Sequence, residues 1–272
     1  MANPAFSQSP AFSQNARNGV AVPPIPPAPS ASELDAQFAI PAATADEMGR
    51  MTYQDTIVKT FISFAILVTG AAIGWAFPLL GIPGAIAGFV LALVLIFRRK
   101  PSAPLTLAYA GAEGLFVGAI SSWFAAYFGS GIVPMAVFGT LGVVGATLAL
   151  FASGKIRATK RATQIFLVAM VGYLVFSLVN VVLIWTGVSS SMFGVRDALI
   201  PGTSIPWGVP LGILVVLLAA YSLVIDFEQV KTGVQRGAPR AYGWTAAFGI
   251  MLTVVWLYLE ILRLLSYFMP RS

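Results

Sequence analysis

From Thr52 onward the chain is a series of apolar segments punctuated by short loops. Spans are predicted near residues 56–77, 83–97, 104–128, 132–152, 163–187, 208–229 and 246–268. Each is close to the roughly 20 residues that cross the hydrocarbon of a bilayer. The second is short and needs tilt or help from its flanks. The pattern therefore predicts an all-α membrane protein with seven transmembrane helices, a domain over 53–272. Residues 1–52 read differently. The sequence PAFSQ occurs at Pro4–Gln8 and again at Pro10–Gln14, followed by the proline-rich VAVPPIPPAPSAS. Such sequence buries too little apolar surface to offset ordering, so it is expected to be a disordered tail. A solvated leader is the simpler reading and a polyproline II docking segment the alternative. A signal peptide is not expected, because no basic start is followed directly by an apolar core.

The last apolar stretch, Gly249–Met269, reads GIMLTVVWLYLEILRLLSYFM and carries Glu260 and Arg263. Three apart, they share a helix face. Ionised side chains at bilayer depth cost about 2.5–3.5 kcal/mol each on insertion scales, so they face a bundle interior or a wet cavity. The last helix is accordingly expected at the centre of the bundle.

Composition sharpens the class. Of 272 residues 58% are hydrophobic and 10% charged, against about 25% charged in soluble domains. With no Cys and no His, the chain has no disulfide, thiolate nucleophile or usual zinc or haem ligand. No nucleophile–base pair or cofactor motif is visible, and no enzyme activity is expected. The net charge of +6 is a topology signal. Arg98, Arg99 and Lys100 lie between spans two and three; Lys155, Arg157, Lys160 and Arg161 between four and five; Lys231, Arg236 and Arg240 between six and seven. Ten of the 16 basic residues thus occupy alternate loops, which the positive-inside rule places in the cytoplasm. The amino terminus is expected inside a plasma or inner membrane and the carboxyl terminus outside. The basic residues being accounted for, nucleic-acid binding is not expected. Glycines spaced four apart, Gly70/Gly74, Gly84/Gly88 and Gly114/Gly118, allow close helix approach.

Five ionisable residues fall within or at the ends of spans three, six and seven: Glu113, Asp226, Glu228, Glu260 and Arg263. Glu228 reads as a solvated end-of-helix charge, and Asp226 as either an interfacial carboxylate near Lys231 or a site residue. Glu113 lies near mid-membrane, either as a structural partner of Arg263 or as a functional acid. The depth of Glu260 depends on where the last crossing begins. A straight helix from Tyr242 would place it roughly 27 Å on. A crossing that begins at Gly249, with Tyr242–Phe248 along the interface, would place it about 16 Å deep. The second layout is the expected one.

At these residues the chain resembles the Bax inhibitor-1 family of seven-span membrane proteins. The carrying motifs are FRRK (Phe97–Lys100), AAYSLVIDFEQVK (Ala219–Lys231) and LYLEILRLL (Leu257–Leu265), and the resemblance covers about 56–268. It implies a central last helix and a pair of acids, on helices six and seven, acting as a pH sensor in a calcium leak pathway. The corresponding positions are Asp226 and Glu260, with Arg98, or Arg99 on register, as the basic latch on the first acid. The chain departs from the pattern in having Glu at the second position, an additional acid at Glu113 and a long link between its last two spans. Two or three carboxylates could hold Ca²⁺, which takes 6–8 oxygens, only loosely, with water completing the shell. That suits a permeant ion met transiently at Asp226 and Glu260, not a bound cofactor. Carboxylates close together in a low dielectric do not both ionise readily, which suits pH sensing in a chain without His. An Arg98–Asp226 tie would hold only while Asp226 is ionised, so acid is expected to open the path, although it also removes charge that attracts Ca²⁺.

The leading function is thus a pH-sensitive calcium (cation) leak channel. The alternative is a non-transporting stress regulator or scaffold that binds membrane proteases or other membrane proteins, its charges purely structural. A retinal-type pump fails for want of a Schiff-base Lys in the last helix.

Overall fold

The computed structural model describes Ser30, residues 48–189 and residues 191–269. The chain divides into Met1–Ala43 and Thr44–Ser272, and only the second unit is described below. The tail expected over 1–52 lies outside the described residues, apart from Ser30 and 48–52.

Seven helices long and apolar enough to cross a membrane make up the described bundle. They are α1 (Tyr53–Ala76), α2 (Gly81–Phe97), α3 (Ala103–Phe128), α4 (Ile132–Ala152), α5 (Lys160–Trp185), α6 (Gly208–Gln235) and α7 (Tyr242–Ser266). Their starts follow ordinary capping chemistry. The Thr52 hydroxyl accepts the Asp55 amide at 3.1 Å to open α1, and Thr159 does the same for Ala162 at 3.3 Å on α5. Each satisfies an amide with no partner inside the helix. A 3-10 turn at Pro78–Leu80 lengthens the second crossing to 20 residues, so the short span is completed by its amino-terminal flank.

The last helix is central. Half of the α7 apolar window is buried within the protein, against 6% for α5. It packs on α1, α3, α4 and α6, and Met251, Leu257 and Leu262 are fully enclosed. The closest pairing joins α1 to α3. There Gly70 and Gly74 face the backbone of Gly111–Leu115, and Gly114 and Gly118 face Leu67–Ala71. The two small-residue motifs form one seam of backbone against backbone. Gly84 and Gly88 let α2 pack closely on an adjacent face of α3, against Ala112–Phe116.

One expectation is corrected. α7 is a single unbroken helix from Tyr242, not an interfacial segment followed by a crossing from Gly249. Tertiary contacts hold its first turns: Gly243 packs on the Lys59 and Asp55 side chains, and the Lys59 ammonium lies 5.6 Å from the centre of the Trp244 ring. Glu260 is therefore about 27 Å along the helix from Tyr242, at the end away from the basic loops.

Candidate functional site

Charged side chains gather at both ends of the bundle. At the basic end, residues before α1 clasp the loop between α6 and α7. The Met51 amide donates to the Ala238 carbonyl at 2.7 Å and the Arg240 amide to the Gly49 carbonyl at 2.8 Å, with Arg50 opposite Pro239 in an antiparallel bridge. Left-handed Gly237 (φ 63°) turns the chain out of α6 to meet this strap. Asp55 pins the clasp from below. It pairs with Lys59 one turn on and accepts from Arg240 Nε at 2.8 Å, while Lys59 Nζ donates to the Arg240 carbonyl at 2.7 Å. Sequence reasoning passed over Asp55 and Lys59. Their i,i+4 spacing was the available signal.

Beneath the strap lies a cavity of about 150 Å³, lined by Met51, Asp226, Gln229, Tyr242, Thr245 and neighbouring small residues. Met51, 3% exposed, forms part of its wall, its sulfur close over Gly233. Asp226 is the one charged residue in the lining. Thr253 of α7 donates to its Oδ2 at 2.7 Å, and Ser222 lies 3.5 Å from the Thr253 hydroxyl. At about 30 Å³ per water, such a cavity has room for some five waters.

At the other end Glu260, 3% exposed, accepts from Arg263 Nη1 at 2.8 and 2.9 Å. Tyr173 of α5 also donates to it. Arg196, from the α5–α6 connection, lies 3.8 Å from its Oε2 and donates to the Tyr173 hydroxyl at 2.9 Å and to Ser177 at 3.3 Å. Asn180 holds that connection in place, accepting the Val195 amide at 2.8 Å and donating to the Phe193 carbonyl at 3.1 Å. Two guanidiniums and a phenol thus converge on one carboxylate, an arrangement that satisfies a buried charge and leaves it little capacity for a further cation.

The expected acid pair is accordingly not assembled. Asp226 sits against Gly249 and Thr253, seven to eleven residues before Glu260, a separation of about 10–16 Å along α7. Opposite Asp226 stands Thr253. The expected latch is not formed either: Arg98 is exposed and its Nε donates to the Lys100 carbonyl at 3.1 Å, and Arg99 is likewise exposed. Glu228 is half-buried and paired, 3.4 Å from Lys231 and 3.9 Å from Arg157. Among the described residues no group of three or more His, Cys, Asp or Glu converges as a metal site.

Glu113 does not meet Arg263, whose partners are Glu260 and Tyr173. It is half-buried against α2, close enough that a Cβ at Gly88 would come within 2.8 Å of Oε2. Among the described residues its carboxyl has no hydrogen-bond or ion-pair partner, and such a group in an apolar setting is costly. Glu113→Leu is therefore expected to stabilise the bundle by about 1–3 kcal/mol, seen as a raised melting temperature in detergent. An unchanged or lowered one would show that Glu113 has a supporting role.

A comparison with curated proteins finds no match. A model of the family described as Bax inhibitor 1 like matches residues 3–270, extending through the amino-terminal stretch that the motif resemblance left out. With nearly the whole length matched and seven apolar helices, four of them packed on the last, the chain belongs to the Bax inhibitor-1 family.

Proposed function

We propose that the protein is a passive, non-enzymatic leak pathway for cations, Ca²⁺ among them, entered through the Asp226 cavity and closed by the Met51 strap. The observation that carries this reading is a lone carboxylate facing a cavity of about 150 Å³ whose wall includes Met51 of the strap. Asp226, Gln229, Thr245 and water could supply oxygens to Ca²⁺, and a single carboxylate favours passage over retention. The positive-inside reading of the basic loops supports a cavity on the cytoplasmic side of a plasma or inner membrane, amino terminus inside and carboxyl terminus outside.

Liposomes loaded with a calcium dye test the reading. Met51→Ala is expected to raise the leak several-fold by opening the cavity wall, and Asp226→Asn to reduce it at least tenfold. The pH dependence has a definite sign. With no Arg98 latch to release, protonation of Asp226 only removes the charge that attracts cations. Flux should therefore fall as pH falls, opposite to a latch-released gate, and Asp226→Asn should flatten the profile. A leak that rises in acid and survives Asp226→Asn would reject Asp226 as the sensor.

The other end of the bundle favours a second reading, a non-transporting membrane regulator or scaffold that binds membrane proteases or other membrane proteins. Glu260 is fully engaged by Arg196, Arg263 and Tyr173, as a purely structural charge would be. Absence of flux from wild type and Met51→Ala alike would favour this reading.

A further inference from the structure

Helices α1 and α4 both pack on α7 and leave between them a groove of about 500 Å³, floored by α6 and α7. Its walls include Phe61, Phe64, Leu148, Phe151, Phe227 and Ile250. The polar atoms of its threonines are already used. Thr56 donates to the Thr52 carbonyl and Thr60 to the Thr56 carbonyl, each at 2.8 Å. What fills the groove is therefore apolar. Along α4 it runs from Leu141 to Phe151, about 15 Å of helix, or one leaflet of a hydrocarbon core roughly 30 Å thick.

Its mouth is cationic. The Arg157 guanidinium lies 5.2 Å from the centre of the Phe151 ring, and its side chain is 43% exposed. Arg157 and Lys231 share Glu228, at 3.9 and 3.4 Å, so this cluster keeps a net positive charge before exposed Lys155 is counted. The Tyr53 ring borders the groove at the same end. An apolar slot one leaflet deep, with a partly free guanidinium at its mouth, matches an anionic phospholipid: acyl chain in the slot, phosphate on arginine.

We propose that the α1–α4 groove binds an anionic glycerophospholipid from the leaflet at the basic end, with Arg157 holding its phosphate. The groove shares Val230 with the cavity under the strap but none of that cavity's polar residues. Native mass spectrometry of the full chain in mild detergent, titrated with dioleoylphosphatidylglycerol or dioleoylphosphatidylcholine, tests it. Wild type should retain one phosphatidylglycerol in preference to phosphatidylcholine. Arg157→Gln, an exposed change that leaves the fold intact, should lower that preference about fivefold, the value of one cation at a membrane surface. Leu148→Trp, which fills the slot, should abolish binding of both lipids. Equal binding of the two lipids by wild type, or an undiminished preference in Arg157→Gln, overturns the proposal. So does a dimer that Leu148→Trp converts to monomer without loss of lipid, since a second copy would then be the occupant.

Discussion

Gly118→Leu is expected to leave no folded bundle. A Cβ at this position would run into the Ala71 carbonyl, and a Cβ at Gly114 into that of Leu67. These obstacles are backbone atoms of a neighbouring helix, so no rotamer change relieves them. Overpacking into side chains costs about 1–3 kcal/mol. Here α1 would have to move off α3, breaking the most extensive pairing in the bundle, and a loss above about 4 kcal/mol follows. The controls are built in. Gly142 on α4 and Gly172 on α5 have nothing within 4 Å of an added Cβ, so leucine there should be tolerated. Size-exclusion profiles of the three variants in detergent measure this. A monodisperse Gly118→Leu protein with wild-type melting would show that the seam is not the tight contact described.

Glu260→Ala ranks second. It strips the shared carboxylate from Arg196 and Arg263, whose side chains are 6% and 30% exposed. Removing one partner of a buried ion pair costs about 3–5 kcal/mol. The exposure of Arg263 puts this case near the lower bound. Replacing all three residues with Met should recover most of the loss, because a buried charged group exchanged whole for apolar side chains is often neutral or better. Glu260→Gln should leave calcium flux within about twofold of wild type, since a guanidinium-bound carboxylate about 10–16 Å along α7 from Asp226 does not line the Asp226 cavity. A large flux change in a well-folded Glu260→Gln protein would restore Glu260 to the pathway.

The architecture was legible because length, apolarity and small-residue spacing are local signals. Seven spans and close helix approach at the glycine pairs follow from them, the charges of Glu260 and Arg263 put the last helix at the centre, and only the packing shows Gly70/Gly74 meeting Gly114/Gly118. The site was less so, because it turns on how far α7 runs. Gly243 and Gly249 suggested a break, but packing of Gly243 on Asp55 and Lys59 carries the helix through. That displaces Glu260 by two turns and puts Thr253 opposite Asp226. Arg196 gave no sign of reaching Glu260, since the contact joins a loop to a helix some sixty residues later. The strap was hidden for a similar reason: composition assigns Met51 to the tail, and only its bonding to Ala238 brings it to the cavity.

Closure of the Asp226 cavity by the strap is the central claim, and a reversible cross-link tests it most directly. Hydrogen bonds from Met51 to Ala238 and from Arg240 to Gly49 flank Arg50 and Pro239. These two are therefore a non-hydrogen-bonded antiparallel pair, with Cα atoms about 4.5 Å apart, within disulfide range. The chain has no Cys of its own, so Arg50→Cys with Pro239→Cys gives a single possible bridge. Calcium flux is measured in liposomes with the pair reduced and then oxidised, bridge formation being verified by mass after alkylation. The account predicts flux at background in the oxidised protein and its return on reduction. Equal flux in the two states of a fully bridged protein would contradict it.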